Sequence, residues 1–379
     1  MTTYDAVIAG GGVIGASIAL ELAEAGLKVG LYDAREPGRE ASWASGGMIS
    51  PAPENAGMIP FMPMSLASAA MYPELIRKVE QLTGKDVGYR KDGALDVILE
   101  ADAERELSTI IVLQHGVGLR AEAISAEQAL EMEPGLNEDI QAAIFRADEG
   151  SLDARALTEA MLEAAAQKGV RIVGDNGAKR VKRGGGRCTG LVLESGEVEA
   201  KWTIVAAGSF SARIEGVEAY APVFPAKGQM VALRCDTVEI QRILWLGHKY
   251  LVPRKNGRII AGSTIERTGF DHAVTAGGIE SILREAMKMV PALENARIEE
   301  TWAGLRPDSP DHLPIIGPTD MEGLLIATGH FRSGILLAPI TGRLIREWVT
   351  REQVSLDWER VSPMRFLEAK GKVAGGAQR

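Results

Sequence analysis

The stretch Asp5-Ala-Val-Ile-Ala-Gly-Gly-Gly-Val-Ile-Gly15 decides the fold class of this 379-residue chain. It opens with a short, mostly apolar run of the kind that forms a buried parallel strand. From Val13 onward, apolar residues recur at helical spacing as far as Gly26, which stands where a helix C-cap belongs. A second apolar run follows at residues 29–32. The stretch therefore predicts a β-α-β unit of about 30 residues.

The glycines of this stretch fit the dinucleotide-binding pattern G-x-G-x-x-G with Gly10, Gly12 and Gly15. Gly10 permits the tight turn, Gly12 lets the backbone approach a pyrophosphate, and Gly15 lets the helix pack on the strand. The phosphates would meet the positive end of the helix. Asp33 ends the second strand, where a carboxylate accepts from a ribose hydroxyl. A glycine-rich structural turn explains Gly10 but not the whole arrangement, so we predict a bound dinucleotide.

The composition is that of a globular protein and excludes several functional classes. Hydrophobic residues make up 46% and charged residues 25% of the chain, which rules out disordered and coiled-coil proteins. The net charge of −9 argues against nucleic acid and anionic membranes as partners. The two cysteines, Cys188 and Cys235, are too few for a disulfide scaffold and fit a reduced cytosol. With no signal-peptide pattern before the first strand, we expect a cytoplasmic protein.

Two later stretches favour FAD over NAD as the dinucleotide. The loop at residues 42–48, Ser-Trp-Ala-Ser-Gly-Gly-Met, follows Asp33 closely and can run back along the cofactor. Residues 329–334, Gly-His-Phe-Arg-Ser-Gly, stand between a strand and a helix near the C-terminus. The N-terminus of that helix would point at the far end of the ligand. Its dipole suits the N1/C2=O edge of a flavin, which becomes negative on reduction.

The order of the apolar strands predicts two domains from a discontinuous chain. Nucleotide-type strands near residues 5, 203 and 324 can share a sheet only if the intervening segments form a second, inserted domain. We expect an α/β (mixed α+β) fold. A Rossmann-like FAD-binding domain of the glutathione-reductase type would comprise residues 1–82, 141–220 and 300–379. An inserted antiparallel-sheet substrate domain would comprise residues 83–140 and 221–299.

Single elements can be predicted from local patterns. Helices are expected at residues 66–82, 155–169 (with Ser151 or Asp153 as N-cap), 279–290 and 335–349, and strands at 93–99, 170–173, 190–193, 203–206 and 324–327. Residues 104–132 mix helix signals with a turn near Gly116 and Gly118. Residues 55–73 carry no charge, but prolines and serines interrupt them. We interpret them as a buried loop that enters a core helix, with peripheral membrane contact as the alternative and no integral membrane segment.

The chain resembles the amino-acid-oxidase superfamily of FAD enzymes, and within it the bacterial glycine oxidase branch that serves thiazole (thiamine) synthesis. The resemblance covers essentially the whole chain. Its segments are residues 10–15, 45–48, 225–229 (Pro-Ala-Lys-Gly-Gln), 250–254 (Tyr-Leu-Val-Pro-Arg), 302–307 (Trp-Ala-Gly-Leu-Arg-Pro) and 329–339. It implies a homo-oligomer, a tetramer in this branch. Some members of the superfamily attach the flavin covalently, through a Cys near the C-terminal flavin loop or a His near the first loop. Here the C-terminal loop lacks Cys and no His precedes His115, so we expect non-covalent FAD.

The resemblance also implies which residues line the cofactor. The FAD would contact the glycine turn with Val13 and Ile14, the acidic Asp33, and residues of the loops around it. The further positions are Ala34, Ala41, Ser42, Gly46, Gly47, Met48, Ala207 and Gly208, with Ala178 at the adenine end. The flavin ring would be wrapped by His330, Phe331, Arg332, Ser333, Gly334, Ile335 and Leu336.

A small amino acid offers a carboxylate, which calls for a guanidinium held in a fixed fork. Arg306 is the first candidate, because an arginine between apolar residues and before a proline is rarely a solvated one; the resemblance makes the same assignment. Arg332 is the second. Tyr250 would contribute a phenolic hydroxyl, and Ile265 an apolar wall. His248 would stand at the pocket mouth, although a lone histidine there is more often structural.

These residues predict oxidative deamination of glycine or another small amine, such as sarcosine or a small D-amino acid. Hydride transfer from Cα to flavin N5 would give an imine, which water hydrolyses to a 2-oxo acid and ammonia or a primary amine, while O2 is reduced to hydrogen peroxide. A dehydrogenase with a quinone acceptor is the main alternative. An RNA-directed flavoprotein and an NAD-dependent dehydrogenase are further ones. The five histidines show no metal-ligand spacing, so no metal is predicted.

Overall fold

The computed structural model describes residues 3–52, 59, 61–100 and 104–367. In these residues the helices are α1 (Val13–Glu24), α2 (Met62–Thr83), α3 (Glu104–Gly116), α4 (Ala126–Met132), α5 (Ala154–Gln167), α6 (Ala276–Met289) and α7 (Gly334–Thr350). Short 3-10 helices lie at Gly208–Arg213, Pro291–Asn295 and Glu359–Val361. The sequence after Leu367, rich in Gly, Ala and Lys, predicts a frayed tail, and this segment lies outside the described residues.

The strands come in the following order. They are β1 (Thr3–Ala9), β2 (Val29–Tyr32), β3 (Met48–Ile49), β4 (Ala94–Ile98), β5 (Ala121–Ser125), β6 (Ala142–Arg146), β7 (Gly150–Ser151), β8 (Arg171–Val173) and β9 (Ala178–Gly184). The second half of the chain adds β10 (Arg187–Leu193), β11 (Gly196–Val205), β12 (Phe224–Arg234), β13 (Ile243–Leu246), β14 (Lys249–Pro253), β15 (Arg258–Gly262), β16 (Arg297–Asp308), β17 (Ile315–Pro318) and β18 (Leu324–Thr328).

The first sheet contains the nucleotide-type strands, side by side as expected. Its order is β17-β18-β11-β1-β2-β8, and all of these pairs are parallel except β17–β18. Along β1, Ala6 and Ile8 pack with the helices on one face, whereas Val7 and Ala9 pack with the β9–β10 hairpin on the other. The prediction that strands near 5, 203 and 324 share one sheet is confirmed, and so is the mixed α/β fold class.

The second sheet is almost wholly antiparallel. Its order is β16-β12-β15-β14-β13-β4-β6-β5, with β13–β4 as its parallel pair. Helix α6 covers one face through Ile282, Ala286 and Met289. The other face presents Met230 and Tyr250, among others, toward the loop that follows β2. The second sheet thus packs on a loop that leaves the end of β2 in the first sheet.

Strand membership differs from the predicted domain ranges in two places. Strand β6 pairs with β4, and β16 pairs with β12, so residues 142–146 and 297–308 belong to the second sheet. Strand β5 also corrects the interpretation of residues 104–132, because it pairs with β6 and buries Ala121 against Ile144. These pairings join residues far apart in sequence, which local periodicity does not record. The division into a cofactor and a substrate domain stays a prediction.

Helix α2 explains most of the uncharged segment at residues 55–73; of that segment, residues 55–58 and 60 lie outside the described part. The Ser68 hydroxyl donates to the Leu336 carbonyl at 2.6 Å, and the Tyr72 hydroxyl donates to the Ile335 carbonyl. Pro339, four residues after Ile335, has no N–H to donate to that carbonyl, and Tyr72 supplies the missing bond. The segment therefore supports the first turn of α7. No helix in the described residues has both the length and the apolar character that crossing a membrane requires.

Candidate active site

The glycine turn between β1 and α1 is packed too closely for larger residues. Gly10 has φ +109°, and a Cβ there would lie 2.4 Å from the Ala206 carbonyl oxygen. A Cβ on Gly15 would lie 1.9 Å from the Gly10 carbonyl oxygen. These two glycines let the strand, the turn and the helix approach each other, as the pattern predicts.

The N-terminus of α1 is capped from another loop. Gly12 is the N-cap residue and has no side chain to cap the helix, and the Val13 N–H donates instead to Ser42 Oγ at 2.9 Å. The Asp33 carboxylate accepts from the N–H groups of Gly11 at 2.6 Å and Arg35 at 2.9 Å. Backbone donors therefore fix the carboxylate at the edge of the cavity that the turn lines.

This cavity lies between the two sheets and takes walls from both. The first sheet and its loops supply most of the predicted cofactor residues: Gly10, Gly12, Val13, Ile14, Asp33, Ala34, Ala41, Ser42, Gly46, Met48, Ala178, Ala207, Gly208, His330, Phe331, Arg332, Gly334 and Ile335. The second sheet supplies Gly228, Tyr250 and the run 304–307. One continuous cavity thus joins the glycine turn to the Arg306 guanidinium.

Four predicted cofactor residues do not line this cavity. Gly15 is buried against the Gly10 carbonyl. Gly47 has φ +69°, and a Cβ there would lie 2.0 Å from the Leu152 carbonyl oxygen. Ser333 is the N-cap residue of α7, and Leu336 is buried in the helical core. Each shapes a wall from behind, so their direct contact with a cofactor is not supported by the geometry.

The C-terminal loop places a neutral imidazole at the start of α7. His330 is 3% exposed, and its Nε2 lies 3.0 Å from Thr341 Oγ1. Burial lowers the pKa of His330 to about 3. The next residue, Phe331, has φ +46° and donates its N–H to the Pro307 carbonyl at 2.8 Å. This bond ties the loop to β16, while Gly334 and Ile335 turn the helix N-terminus toward the cavity.

Arg306 lies on the second-sheet wall with its guanidinium half-buried. Its Nη2 donates to Ser263 Oγ at 2.6 Å, and its Nη1 donates to the Thr264 carbonyl at 3.1 Å. Lys249 lies near the same group and donates to the Ser263 carbonyl at 2.9 Å. Burial and the positive charges of Arg284 and Arg306 lower the pKa of Lys249, against the pull of Glu285. The Arg306 guanidinium on this wall suits a small carboxylate.

Tyr250 also lines the cavity, beside a loop that approaches it at a glycine. Its ring makes an edge contact with Trp245, and its hydroxyl lies 3.3 Å from Met230 Sδ. A Cβ on Gly46 would lie 3.1 Å from the Tyr250 ring, so a larger residue there would fill the space beside the phenol. Arg254, whose pKa burial lowers to about 10, donates to the Gly46 carbonyl at 2.8 Å and holds this loop.

The structure corrects two of the predicted substrate residues. His248 is exposed in the turn between β13 and β14, and Ile265 is 47% exposed beyond the end of β15. Neither is among the residues that line the cavity. If β14 extended to His248, strand alternation would place its side chain on the same face as Tyr250. Because β14 begins at Lys249, His248 lies in the turn instead. Arg332, in contrast, does line the cavity.

Several wall residues have no role assigned from the sequence. The glycines Gly228 and Gly304 lie on neighbouring strands beside Arg306. On the side of Asp33, the wall contains Arg35, Glu40, Phe210 and Arg213. Burial raises the pKa of Glu40, although Arg35 pairs with it. That Gly228 and Gly304 lie side by side on the cavity wall follows from the pairing of β12 with β16. A sequence alone does not give this strand register.

The profile of the DAO family, described as FAD dependent oxidoreductase, matches residues 5–348. The chain belongs to the DAO family. A glycine oxidase of Geobacillus kaustophilus is 31% identical over 98% of this chain and 98% of its own length. The crystal structure of glycine oxidase from Geobacillus kaustophilus aligns with a TM-score of 0.92 over 96% of this chain and 99% of that one. The predicted family and its FAD-dependent oxidoreductase fold are confirmed.

Two further relatives carry other names, and one of them is longer than this chain. The bifunctional protein ThiO/ThiG of Synechocystis sp. is 36% identical over 97% of this chain, which spans 54% of that protein's length. The hydrogen cyanide synthase subunit HcnC of Pseudomonas aeruginosa is 32% identical over 99% of both chains. DAO-family relatives with different names thus share the whole of this chain.

FAD, the cofactor of the DAO family, fits the residues of the cavity. Gly12 leaves the helix start without a Cβ, the Asp33 carboxylate is fixed by backbone donors, and the α7 N-terminus points inward. When bound, the flavin supplies the chemistry of hydride acceptance. In the described part of the chain, no group of three or more histidine, cysteine or acidic side chains is arranged to hold a metal ion.

Proposed function

We propose that this DAO-family enzyme oxidatively deaminates glycine and other small amines, such as sarcosine and small D-amino acids. The products would be a 2-oxo acid such as glyoxylate, ammonia or a primary amine, and hydrogen peroxide. The observation that carries the proposal is the Arg306 guanidinium on the wall of the same cavity as the glycine turn. The names of the glycine oxidases among the relatives support it.

In this proposal the chain binds and orients, and the cofactor carries the electrons. Arg306 binds the substrate carboxylate in a two-pronged contact, held on its other side by Ser263 and Thr264. Tyr250 adds a hydroxyl on the same wall. The carboxylate contact fixes Cα over the flavin side of the cavity, which supplies proximity. Gly46, Gly228 and Gly304 carry no side chain, which lets Tyr250, Arg306 and Ala44 pack closely around this end of the cavity.

The cofactor is proposed to be held without a covalent bond. His330, the histidine of the C-terminal loop, is buried, and its Nε2 lies within hydrogen-bond distance of Thr341 Oγ1. Neither Cys188 nor Cys235 is among the residues that line the cavity. Acid precipitation of the purified protein tests this. All of the yellow colour should pass into the supernatant, and colour that stays with the precipitate would contradict a non-covalent site.

A substrate panel under air tests the activity. We expect hydrogen peroxide from glycine and sarcosine at rates above those from bulky D-amino acids, with 2-oxo acid formed in equal amount. Turnover that requires an artificial dye and yields no peroxide would instead assign the alternative, a dehydrogenase with a quinone or another acceptor. No turnover of any amino acid with either acceptor would reject the proposal.

Two further predictions concern the cell. We propose a cytoplasmic protein, which fractionation of the native cells tests.

We propose a homotetramer, as in the branch that the sequence resembles. Light scattering of the purified protein at several concentrations would show four chains per particle, and a monomer would contradict this prediction.

A further inference from the structure

The motif Lys227-Gly228-Gln229 lies on β12, directly beside the part of β16 that carries Arg306. Ala226 pairs with Arg306, and Gly228 pairs with Gly304. Farther along β12, Met230 packs on the cavity side with Tyr250, whereas Val231 packs on the α6 side. Because side chains alternate along a strand, Gly228 faces the cavity while Lys227 and Gln229 face the α6 side. The motif therefore reaches both faces of the sheet behind Arg306.

Gly228 provides the space in which the Arg306 guanidinium lies. A Cβ at position 228 would stand 2.1 Å from Nη1 of Arg306 and 2.4 Å from its Cζ and Nη2. No side chain other than hydrogen is compatible with this contact. The guanidinium is the end of a flexible side chain, so alanine at position 228 would move Arg306 rather than the strand.

Lys227 anchors the chain that follows β15. Its side chain is 1% exposed, and its Nζ contacts Glu266 and Asp271 at 3.0 Å each and the Ala273 carbonyl at 3.1 Å. We call residues 263–275 the anchor segment, because these partners and the acceptors of Arg306 all belong to it. The backbones of Lys227 and Glu266 also exchange two hydrogen bonds of 2.9 Å. A substitution of Lys227 would remove the contacts of its side chain and leave these two backbone hydrogen bonds in place.

Gln229 holds both parts of the same segment. Its amide nitrogen donates to Glu266 at 2.8 Å and to Thr275 Oγ1 at 3.0 Å, and its amide oxygen accepts from the Thr275 N–H at 2.8 Å. Its backbone N–H donates to Thr264 Oγ1 at 2.9 Å. A Cβ on Gly278 of α6 would lie 2.3 Å from the Gln229 amide nitrogen. The Gln229 side chain is thus fixed between α6 and the anchor segment.

The anchor segment in turn holds Arg306. Its first two residues, Ser263 and Thr264, accept the hydrogen bonds from Nη2 and Nη1. Displacing the segment would therefore move the two acceptors of the guanidinium, and a side chain at position 228 would push the guanidinium away from β12. Residues on both faces of β12 thus act on the position of the same group.

We propose that Lys227, Gly228 and Gln229 are positioning residues that fix the Arg306 guanidinium for the substrate carboxylate. This rests on the proposed function, in which Arg306 binds that carboxylate. Gly228 sets the depth at which the guanidinium lies, and Lys227 and Gln229 set the position of its two acceptors. None of the three needs to touch the substrate.

The direct test is Gly228→Ala, assayed for KM and kcat with glycine. Misplacing a binding group by about an ångström costs about 100-fold in catalytic efficiency. We expect most of that loss in KM, because the carboxylate contact is made in the ground state as well. The affinity for glycolate, a carboxylate without the amine, should fall by a similar factor when followed through the flavin absorbance. FAD content should stay at the level of the parent.

Two remote variants test the α6 side of the sheet. Lys227→Met removes the anchor, and Lys227→Arg should restore part of it. Gly278→Ala pushes the Gln229 amide, whereas the neighbouring Gly277→Ala meets nothing within 4 Å and is the matched control. Alanine favours helix at both glycines, so lost helix stability cannot explain a difference between them. We expect KM to rise about 10- to 100-fold for Lys227→Met and Gly278→Ala, the range found for partners that orient metal ligands, and to stay unchanged for Gly277→Ala.

Arg306→Ala, measured in parallel, separates this inference from the proposed function. If Arg306→Ala leaves KM unchanged, the carboxylate role of Arg306 is wrong and the positioning role fails with it. If Arg306→Ala raises KM but Lys227→Met and Gly278→Ala do not, the proposed function stands and the positioning role is refuted. Loss of FAD content or of thermal stability in these variants, without a selective loss of glycolate affinity, would also refute it.

Discussion

The two ends of the cavity are built by different means. At the first-sheet end, glycines and backbone groups line the part of the cavity around the turn, and the Asp33 carboxylate is itself held by backbone N–H groups. At the second-sheet end, the Arg306 side chain donates to the Ser263 hydroxyl and the Thr264 carbonyl, in a segment anchored on the buried side chain of Lys227. A site made of backbone depends on local conformation. A site made of side chains depends on strands brought together from distant parts of the sequence.

The largest effect is expected from filling the backbone site. Gly12 has φ −70°, which any residue adopts, so Gly12→Val changes the occupied space and not the backbone. Its Cβ would lie 3.1 Å from Ser42 Oγ, at the start of α1. Loss of two charge-assisted backbone contacts to the pyrophosphate would cost about 3–6 kcal/mol of FAD binding. The variant should purify nearly colourless, as measured by the flavin absorbance per chain.

The control for this variant is Gly116→Val, at the exposed end of α3, where an added Cβ meets nothing within 4 Å. It should retain the FAD content of the parent. Full FAD loading of Gly12→Val would mean that the pyrophosphate does not approach this turn.

The second effect concerns the side-chain end alone. Arg306→Ala would leave the substrate carboxylate without its charged partner, a loss on the order of 2–5 kcal/mol. That corresponds to roughly 30- to several-thousand-fold in kcat/KM, mostly through KM. Arg306→Lys should recover only part, since an ammonium does not form the two-pronged contact.

Flavin content distinguishes the two ends in this experiment. It should be unchanged in both Arg306 variants, because the residue lies on the second-sheet wall. If Arg306→Ala instead loses FAD while keeping its KM, the residue supports the fold, and Arg332 becomes the candidate for the carboxylate.

The third effect is a pH dependence of stability from His330. Burial lowers the pKa of this imidazole from 6.5 to about 3. Between these values the unfolded chain takes up a proton and the folded chain does not, so the free energy of unfolding falls as the pH falls. The loss is about 1.4 kcal/mol per pH unit below 6.5, or about 2 kcal/mol at pH 5.

Urea unfolding at pH 7 and pH 5, with the same excess of FAD, measures this term. His330→Gln should lose about 2 kcal/mol less than the parent between the two pH values, whereas the exposed His248→Gln should follow the parent. Equal pH dependence in all three proteins would show that His330 is accessible to protons in the folded state.

The difference between the two ends also explains what could be predicted from the sequence. The glycine turn, Asp33 and the α7 start are continuous stretches, so local patterns predict a turn and helix starts that the structure brings to one cavity. Arg306 stands out in the sequence because its neighbours are apolar, and its role stays a prediction. Gly228 and the anchoring Lys227 were quoted as part of a motif but given no role, since their importance follows from the register of β12 against β16. The local pattern does not predict strand β5 for the same reason, because its pairing partner β6 begins only at Ala142.

The smallest effect is expected at Ile265, where the sequence predicted a pocket wall. Ser263 and Thr264 of the anchor segment accept from Arg306, but the neighbouring Ile265 side chain is 47% exposed and is not among the cavity walls. Ile265→Ala should change kcat/KM for glycine, sarcosine and D-alanine by less than about two-fold each, as expected of an exposed position. Tyr250→Phe, which alters a wall residue, is the positive control and should weaken glycine binding by about 2- to 10-fold. A shift of Ile265→Ala toward D-alanine of ten-fold or more would show that this side chain bounds the substrate site after all.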